Sequence, residues 1–185
     1  MTTIYEIAII GGGPGGIGTA IEAAVHGIEN ILLIDKADNH SSTIRKFYKD
    51  NKRVDKDWKG QKMDIEGNIP FMDGTKETTL DFFDELLDKD KIDTAFNTEV
   101  ENIVRREEDD LFLITTGTQS FRARAVVITI GKMGKPNKPS YKVPPSIKEY
   151  VNYNLDKCST GEKILVVGGG NSASEYAYEL ADEGN

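Results

Sequence analysis

The stretch Ile9-Ile10-Gly11-Gly12-Gly13-Pro14-Gly15-Gly16 decides the fold of this chain. It ends the apolar run of residues 4–10 and opens an alanine-rich segment, residues 14–26, that has helical spacing. A strand, a glycine-rich turn and a helix in this order can hold the pyrophosphate of a dinucleotide, because main-chain N–H groups at the helix start face the phosphates. The stretch therefore predicts a nucleotide-binding turn.

Three glycines of this turn, Gly11, Gly13 and Gly16, have the G-x-G-x-x-G spacing. The first allows a tight exit from the strand, the second leaves room for the pyrophosphate, and the third lets helix and strand pack closely. A second apolar run, residues 31–34, predicts a buried strand that ends at Asp35. A carboxylate about 20 residues after the turn can accept hydrogen bonds from the adenosine ribose hydroxyls. The pattern predicts a cofactor site; the alternative is a plain glycine-rich turn beside a surface aspartate.

A second stretch, Val166-Val167-Gly168-Gly169-Gly170-Asn171-Ser172-Ala173, repeats this arrangement. Residues 164–167 predict a buried strand and residues 171–183 predict the helix that follows it. One such turn is weak evidence, but two turns predict two dinucleotide sites on one chain. That layout is typical of an enzyme that passes electrons between two nucleotide cofactors.

The second turn has the variant spacing G-x-G-x-x-A, formed by Gly168, Gly170 and Ala173. Alanine in the third place still permits close packing of the helix. Asn171 and Ser172 suit the beginning of a helix, where their side chains can cap free N–H groups.

The segment between the two turns predicts a mixed structure. Residues 36–62 are polar and basic and predict a long irregular loop. An amphipathic helix is expected to start at Thr78 or Thr79, and residues 93–130 predict short β-strands. Residues 132–146 contain four of the six prolines and predict an interdomain connection.

Composition and charge exclude several classes of function. The net charge of -8 argues against nucleic acid or an anionic membrane as the main partner. No apolar stretch has the length of a transmembrane helix, and residues 1–6 lack the features of a secretory signal, so we expect a cytoplasmic protein. The single cysteine, Cys158, fits a reducing compartment. His26 and His40 are not clustered with other ligands at metal-binding spacing, so no metal site is expected.

Three motifs carry a resemblance to a known family: residues 9–16, Thr129-Ile130-Gly131, and residues 166–175. In residue types and order the chain resembles flavoproteins with two dinucleotide domains, in particular the thioredoxin-reductase-like group, over essentially its whole length. The resemblance implies an α/β fold, with a parallel sheet and a β-meander insertion in a Rossmann-like FAD-binding domain. The implied division is an FAD-binding domain over residues 1–131, a linker over 132–150, and the truncated start of a second Rossmann-like, NAD(P)-binding domain over 151–185.

The same resemblance implies which residues bind FAD. Asp35 would hold the adenosine ribose, the backbone of Val100 would meet the adenine, and Gly131 would pass close to the flavin half. Lys36 would either assist beside Asp35 or be a solvated lysine. The FAD pyrophosphate would be lined by Gly11, Gly13, Pro14, Gly15 and Gly16.

For the second turn, the resemblance implies a site for the pyrophosphate of NADPH or NADH. Glu175 would face the region between nicotinamide and flavin, or it is a first-turn carboxylate that the helix dipole favours. The residues that distinguish the two nicotinamide cofactors would follow the next strand, so the preference stays open. The implied binding residues are Gly168, Gly170, Asn171, Ser172 and Ala173.

The chain departs from the family pattern in two ways. Thioredoxin reductases carry a redox Cys-x-x-Cys before the second turn, but residues 151–154 contain no cysteine and Cys158 is alone. A dithiol relay within this chain is therefore excluded. Ferredoxin–NADP reductases of the thioredoxin-reductase-like type likewise are flavin reductases without a redox disulfide of their own. The family's final segment, which returns to the FAD domain, has no counterpart here, so we expect this chain alone to be inactive and to hold FAD weakly.

We expect an FAD-dependent oxidoreductase that passes electrons from NAD(P)H through flavin to a small-molecule or electron-carrier protein acceptor, with a homodimer as one assembly. The alternatives are a flavin monooxygenase-like enzyme and a non-catalytic NAD(P)-binding module. The sequence identifies no catalytic acid, base or nucleophile. The basic run of residues 45–59 predicts a loop that covers the flavin, a docking site for an acidic electron carrier, or a solvated surface loop.

Overall fold

The computed structural model describes residues 3–57, 62, 66–132, 139–153 and 158–185. The chain divides into two compact units, Met1–Met133 and Gly134–Asn185. Part of the basic run (Trp58 and Lys59), part of the proline-rich connection and Asn154 lie outside the described residues.

The described residues of the first unit form eight strands and three helices. In chain order they are β1 Ile4–Ile10, α1 Pro14–Val25, β2 Ile31–Ile34, α2 Ser42–Phe47, β3 Arg53–Val54, β4 Gly74–Thr75, α3 Lys76–Lys89, β5 Asp93–Ala95, β6 Val100–Arg105, β7 Phe112–Thr116 and β8 Ser120–Ile128.

The main sheet has six strands in the order β5-β2-β1-β8-β7-β6. Strand β1 pairs in parallel with β2 on one side and with β8 on the other, and β5 extends the parallel part. Strands β6, β7 and β8 form the antiparallel meander. Because β1, β2 and β8 are parallel, their carboxyl ends meet at one edge of the sheet, and the glycine-rich turn, Asp35 and Thr129 all follow at that edge. The predicted α/β class with a parallel sheet and a β-meander insertion is confirmed.

The alternation of side chains along the strands builds a core on each face of the sheet. Ile9 and Leu33 pack with residues of α1 and α3 on one face, including Ile17 and Phe83. The intervening residues of β1 and β2 form a second cluster on the other face, together with Ile114 of β7. Each fully buried Ile or Leu contributes about 1.5–3 kcal/mol to stability. This burial fixes the sheet edge on which the first turn rests.

Two predicted elements of the first unit differ from the structure. Helix α3 begins at Lys76, before Thr78, because Thr75 caps it: the Thr75 Oγ1 atom accepts from the Thr78 N–H group, and the Thr75 N–H group donates to Thr78 Oγ1. The segment 36–62 is not wholly irregular, since it contains α2 and also β3, which pairs antiparallel with β4.

The second unit contains a 3-10 helix, Pro145–Tyr150, and helix α4, Asn171–Asp182. The strand predicted over residues 164–167 is absent from the structure. Leu165 is 85% exposed and Val167 is 72% exposed. None of the described strands pairs with this segment, and an extended segment without ladder partners does not form a sheet.

Candidate functional site

Steric crowding around the first turn makes two of its glycines obligatory. Gly11 has a φ of +111°, and a Cβ atom there would lie 2.5 Å from the main-chain oxygen of Thr129. A Cβ atom on Gly16 would collide with the main-chain oxygen of Gly11. The turn therefore packs against the end of β8 and the start of α1 so closely that no side chain fits.

Gly13 has the opposite environment, since a Cβ atom on it would meet nothing within 4 Å. This residue is the N-cap of α1 and supplies no side chain to cap it, and Pro14 follows at the first helical position. The first helical turn therefore lacks a capping side chain for its N–H groups, and the open space beside Gly13 leaves room for an anionic group.

Thr129 ties the end of β8 to the turn. Its N–H group donates to the Ile10 main-chain oxygen at 2.8 Å, and its hydroxyl donates to the Gly11 main-chain oxygen at 2.8 Å. From the sequence, Thr129 was only part of the motif at residues 129–131, and no role was predicted for it. The signal for its role is positional, because a threonine directly after a central parallel strand lies beside the turn that follows the neighbouring strand.

The carboxylate of Asp35 is held against the turn by two main-chain donors. The Gly12 N–H group donates to Oδ2 at 2.6 Å, and the Ala37 N–H group donates to Oδ1 at 2.8 Å. The Asp35 main chain is also fixed, since its N–H group donates to Ala95 and its oxygen accepts from Thr98. A carboxylate oxygen that accepts one hydrogen bond retains further acceptor capacity, so this group can also accept ribose hydroxyls.

The loop after Asp35 folds back over the turn. The Ser41 N–H group donates to the Gly12 main-chain oxygen at 2.7 Å. His40 and Ser41 are buried, with exposed fractions of 0% and 1%. The sequence placed His40 in a polar loop and gave it no role, because burial by a distant helix leaves no local signal.

The buried imidazole of His40 has polar partners on both ring nitrogens. Its Nδ1 atom lies 3.0 Å from the Ser41 hydroxyl, and its Nε2 atom lies 2.9 Å from Asp84 Oδ1 and 2.8 Å from the Arg45 guanidinium. Burial lowers the pKa of His40; Asp84 opposes this shift and Arg45 adds to it. The serine, histidine and aspartate resemble a hydrolytic triad, but the buried Ser41 hydroxyl cannot reach a substrate.

Three other predicted residues of the first site, Lys36, Val100 and Gly131, make their described contacts elsewhere than at the turn. Lys36 has a side chain that is 74% exposed, and its Nζ atom lies 4.0 Å from Glu99. Val100 begins β6 and packs beside the second core cluster. Gly131 is exposed and has a φ of +69°. No described contact joins these three residues to the turn, so their roles stay predictions.

The second turn has only part of the geometry that its sequence predicts. Gly168 has a φ of +149°, and a Cβ atom there would lie 3.2 Å from Ala173 Cβ, so the turn and helix are in close contact. Helix α4 begins at Asn171, and its N-cap is Gly170, which has no side chain. Asn171 and Ser172 lie at the beginning of the helix, as predicted, and Glu175 lies one turn further along it; the capping and binding roles of these residues stay predictions.

Within the part of the chain that the structure describes, no group of three or more His, Cys, Asp and Glu side chains is arranged to hold a metal ion. None of the described helices combines the length and the apolar character needed to cross a membrane. Cys158 is half-buried and forms no disulfide bond.

Known proteins resemble this chain in sequence. A sequence profile described as pyridine nucleotide-disulphide oxidoreductase matches residues 8–185. A ferredoxin–NADP reductase of Leuconostoc mesenteroides is 28% identical over 186 residues, which cover 97% of this chain and 51% of that protein. The chain spans about half the length of the curated relatives that it matches along its whole length.

Solved structures share the fold. The bacillithiol disulfide reductase of Staphylococcus aureus superposes with a TM-score of 0.71 at 22% identity, and the match covers 100% of this chain and 55% of that one. A closed cyclohexanone monooxygenase superposes with a TM-score of 0.68 at 20% identity, over 100% of this chain and 37% of that one. At these identities the likeness extends to the architecture alone.

Proposed function

The chain belongs to the pyridine nucleotide-disulphide oxidoreductase family, and on that basis we propose that it is part of an FAD-dependent enzyme that oxidises NAD(P)H and delivers electrons to an acceptor. The observation that carries the proposal is the first turn, where a fixed carboxylate adjoins an open helix N-terminus. Flavin, when bound, supplies the electron-transfer chemistry, and the chain supplies binding and orientation.

The residues of the first turn fit the ADP half of FAD. The open space at Gly13 and the N–H groups that follow Pro14 suit the pyrophosphate. Asp35, held by the N–H groups of Gly12 and Ala37, is oriented to accept from ribose hydroxyls. Its negative charge disfavours a phosphorylated ribose, so the first site suits FAD better than NADPH.

The second turn suits the pyrophosphate of NADPH or NADH. Gly169 and Gly170 have nothing within 4 Å of a built Cβ atom, so main-chain groups are open there as at Gly13. Helix α4 starts immediately afterwards and directs its N-terminus to the same space. Glu175, one turn into α4, is proposed to face the nicotinamide end of the cofactor.

The acceptor is proposed to be an electron-carrier protein. Cys158 is the single cysteine in the sequence, so the chain has no dithiol that could pass electrons to a disulfide substrate. Several relatives of similar sequence are named ferredoxin–NADP reductases, and they match 96–97% of this chain. A ferredoxin-like acceptor needs no cysteine on the reductase.

A basic segment, residues 45–56, is proposed as the docking surface for that carrier. It carries six cationic and two anionic residues in a chain whose net charge is -8. Phe47 is 44% exposed, and Lys46 Nζ lies 5.4 Å from the centroid of its ring. The Arg53 side chain is 74% exposed and pairs with Asp55. A segment with exposed cations and an exposed aromatic ring suits an acidic protein, because complementary charge raises the rate of encounter.

The proposal is tested on the full-length protein by its visible absorption spectrum and by steady-state oxidation of NADPH and NADH with and without ferredoxin. We expect flavin absorption bands and a rate that ferredoxin increases. A protein that stays colourless after addition of FAD would indicate the non-catalytic module. NADPH oxidation that depends on an organic substrate and oxygen, and not on ferredoxin, would indicate a monooxygenase.

The docking surface has its own test. Replacing Lys46 and Arg53 with glutamate should raise the KM for ferredoxin and leave the KM for NADPH unchanged. Lys148→Glu, at an exposed position of the 3-10 helix, is the matched control. An equal effect of the control, or an unchanged KM in the double variant, would contradict docking at this segment.

A further inference from the structure

Both main-chain polar groups of Gly12 form hydrogen bonds, and one of these bonds involves Ser41, which is not among the predicted cofactor-binding residues. Its N–H group donates to Asp35 Oδ2 at 2.6 Å, and its oxygen accepts from the Ser41 N–H group at 2.7 Å. A Cβ atom on Gly12 would lie 3.3 Å from Asp35 Cβ and 3.5 Å from His40 Cα. The turn, the carboxylate and the loop at His40 and Ser41 therefore form one contiguous contact.

The backbone conformation of Ser41 is not one that serine favours. Its φ of 53° lies in the left-handed region, which a serine seldom adopts. It is 1% exposed, so water does not satisfy its hydroxyl. The group that satisfies the hydroxyl is the His40 imidazole, at 3.0 Å from Nδ1.

The link between His40 and Ser41 is independent of the tautomer of the ring. With a proton on Nδ1, the ring donates to Ser41 Oγ and Nε2 accepts from Arg45. With the proton on Nε2, the ring donates to Asp84, and Nδ1 accepts from the Ser41 hydroxyl. In both states the far side of the ring is anchored to α2 or α3, at 2.8 Å from Arg45 or 2.9 Å from Asp84.

We propose that His40 is a positioning residue of the first nucleotide site: its imidazole, anchored by Arg45 and Asp84, holds Ser41 over the glycine-rich turn. Ser41 fixes the main chain at Gly12 through the Gly12 oxygen, and the Gly12 N–H group in turn holds the Asp35 carboxylate. This inference rests on the proposed function, because the site that His40 positions is the one proposed for the ADP half of FAD. His40 acts through Ser41 and Gly12 and does not contact the nucleotide.

The test uses ADP as the probe, since ADP is the part of FAD that the first turn would hold. ADP is titrated into the full chain, and the Kd is measured from the amide NMR shifts of the turn glycines. Hydrogen exchange of the Ser41 amide is measured in the same samples without ADP. His40→Leu should weaken ADP binding about tenfold, the loss expected for one buried hydrogen-bonded link, and should accelerate exchange of the Ser41 amide.

His40→Asn separates positioning from general destabilisation, because the asparagine amide lies near the place of Nδ1 and can keep the bond to the Ser41 hydroxyl. It should restore most of the ADP affinity and the slow exchange at Ser41. The matched control is Leu87→Ala. Leu87 lies on α3 in the core cluster that contains Phe83, and it has no described contact with the turn, so its truncation leaves a cavity in the core away from the turn. This control should lower stability and leave the Kd for ADP unchanged.

The outcomes distinguish the two proposals. A wild-type chain that does not bind ADP at the turn would overturn the proposed cofactor site together with this inference. A wild-type chain that binds ADP, with His40→Leu binding equally well or losing no more affinity than Leu87→Ala, would overturn the inference alone. Slow exchange of the Ser41 amide in His40→Leu would also overturn it.

Discussion

The two glycine-rich turns have nearly the same sequence pattern but different surroundings. The first follows a central strand, and Thr129, Asp35 and Ser41 form hydrogen bonds to it from three other segments. The second follows residues 164–167, which form no strand and leave Leu165 and Val167 largely exposed. The comparison teaches that glycine spacing specifies the local bend, whereas neighbouring strands convert the bend into a rigid site.

The third position of the motif distinguishes the two turns sterically. Gly16 fills a place where a Cβ atom would collide with the Gly11 oxygen, whereas Ala173 already occupies the equivalent place in the second turn. The first turn is therefore the more closely packed of the two.

Among substitutions in the two turns, the largest effect is expected from Gly16→Ala. Because the added methyl group would meet main chain that cannot move aside, the free energy of unfolding should fall by about 3 kcal/mol. Urea denaturation followed by circular dichroism measures the change. The reciprocal control, Ala173→Gly, should cost only about 1 kcal/mol. Equal losses would mean that the two turns are packed alike.

Thr129→Val should have a smaller effect, since it preserves shape and removes one hydroxyl. The Gly11 oxygen loses its 2.8 Å bond to that hydroxyl, and stability should fall by about 1–2 kcal/mol. Thr129→Ser keeps the hydroxyl and should recover most of the loss. If valine and serine behaved alike in denaturant, the hydroxyl would not hold the turn.

The first unit should also lose stability at mildly acidic pH through His40. Burial lowers its pKa below the value of 6.5 expected in the unfolded chain; Asp84 and Asp35 oppose this shift, and Arg45 adds to it. The unfolded chain then binds the proton first, so the stability is fully present above pH 6.5 and is lost as the pH falls through the lowered pKa. The difference in unfolding free energy between wild type and His40→Asn, measured from pH 7.5 to 5.5, should shrink as the pH falls. A constant difference would contradict a buried neutral imidazole.

The smallest effect is expected at Leu165. Its side chain is 85% exposed, so Leu165→Ala should change the free energy of unfolding by less than about 0.5 kcal/mol. Leu33→Ala, in the fully buried strand that precedes Asp35, is the matched change and should cost about 2–5 kcal/mol. A large loss at Leu165 in thermal or urea unfolding would mean that the second turn is also supported by a packed strand.

Much of the first unit follows from local sequence. The strands over residues 4–10 and 31–34 were predicted with the bounds that the structure has, because short isoleucine-rich apolar runs that end at turn residues favour buried strands. The start of α3 was misplaced by a few residues, because Thr75 and Thr78 both suit a cap and only the hydrogen bonds identify which one acts. The strand over residues 164–167 was wrong, because an apolar run forms a strand only where another strand pairs with it.

The sequence by itself determined the order of strand, turn and helix, the places where glycine is needed, and the acidic residue after the second strand, since each depends on chain geometry over a few residues. Tertiary structure alone decided that Gly12 lies between Asp35 and Ser41, that Thr129 closes the turn, and that His40 is buried against Asp84. Those contacts join residues up to 118 positions apart, and their energies depend on burial and direction, which only the packed sheet and helices fix.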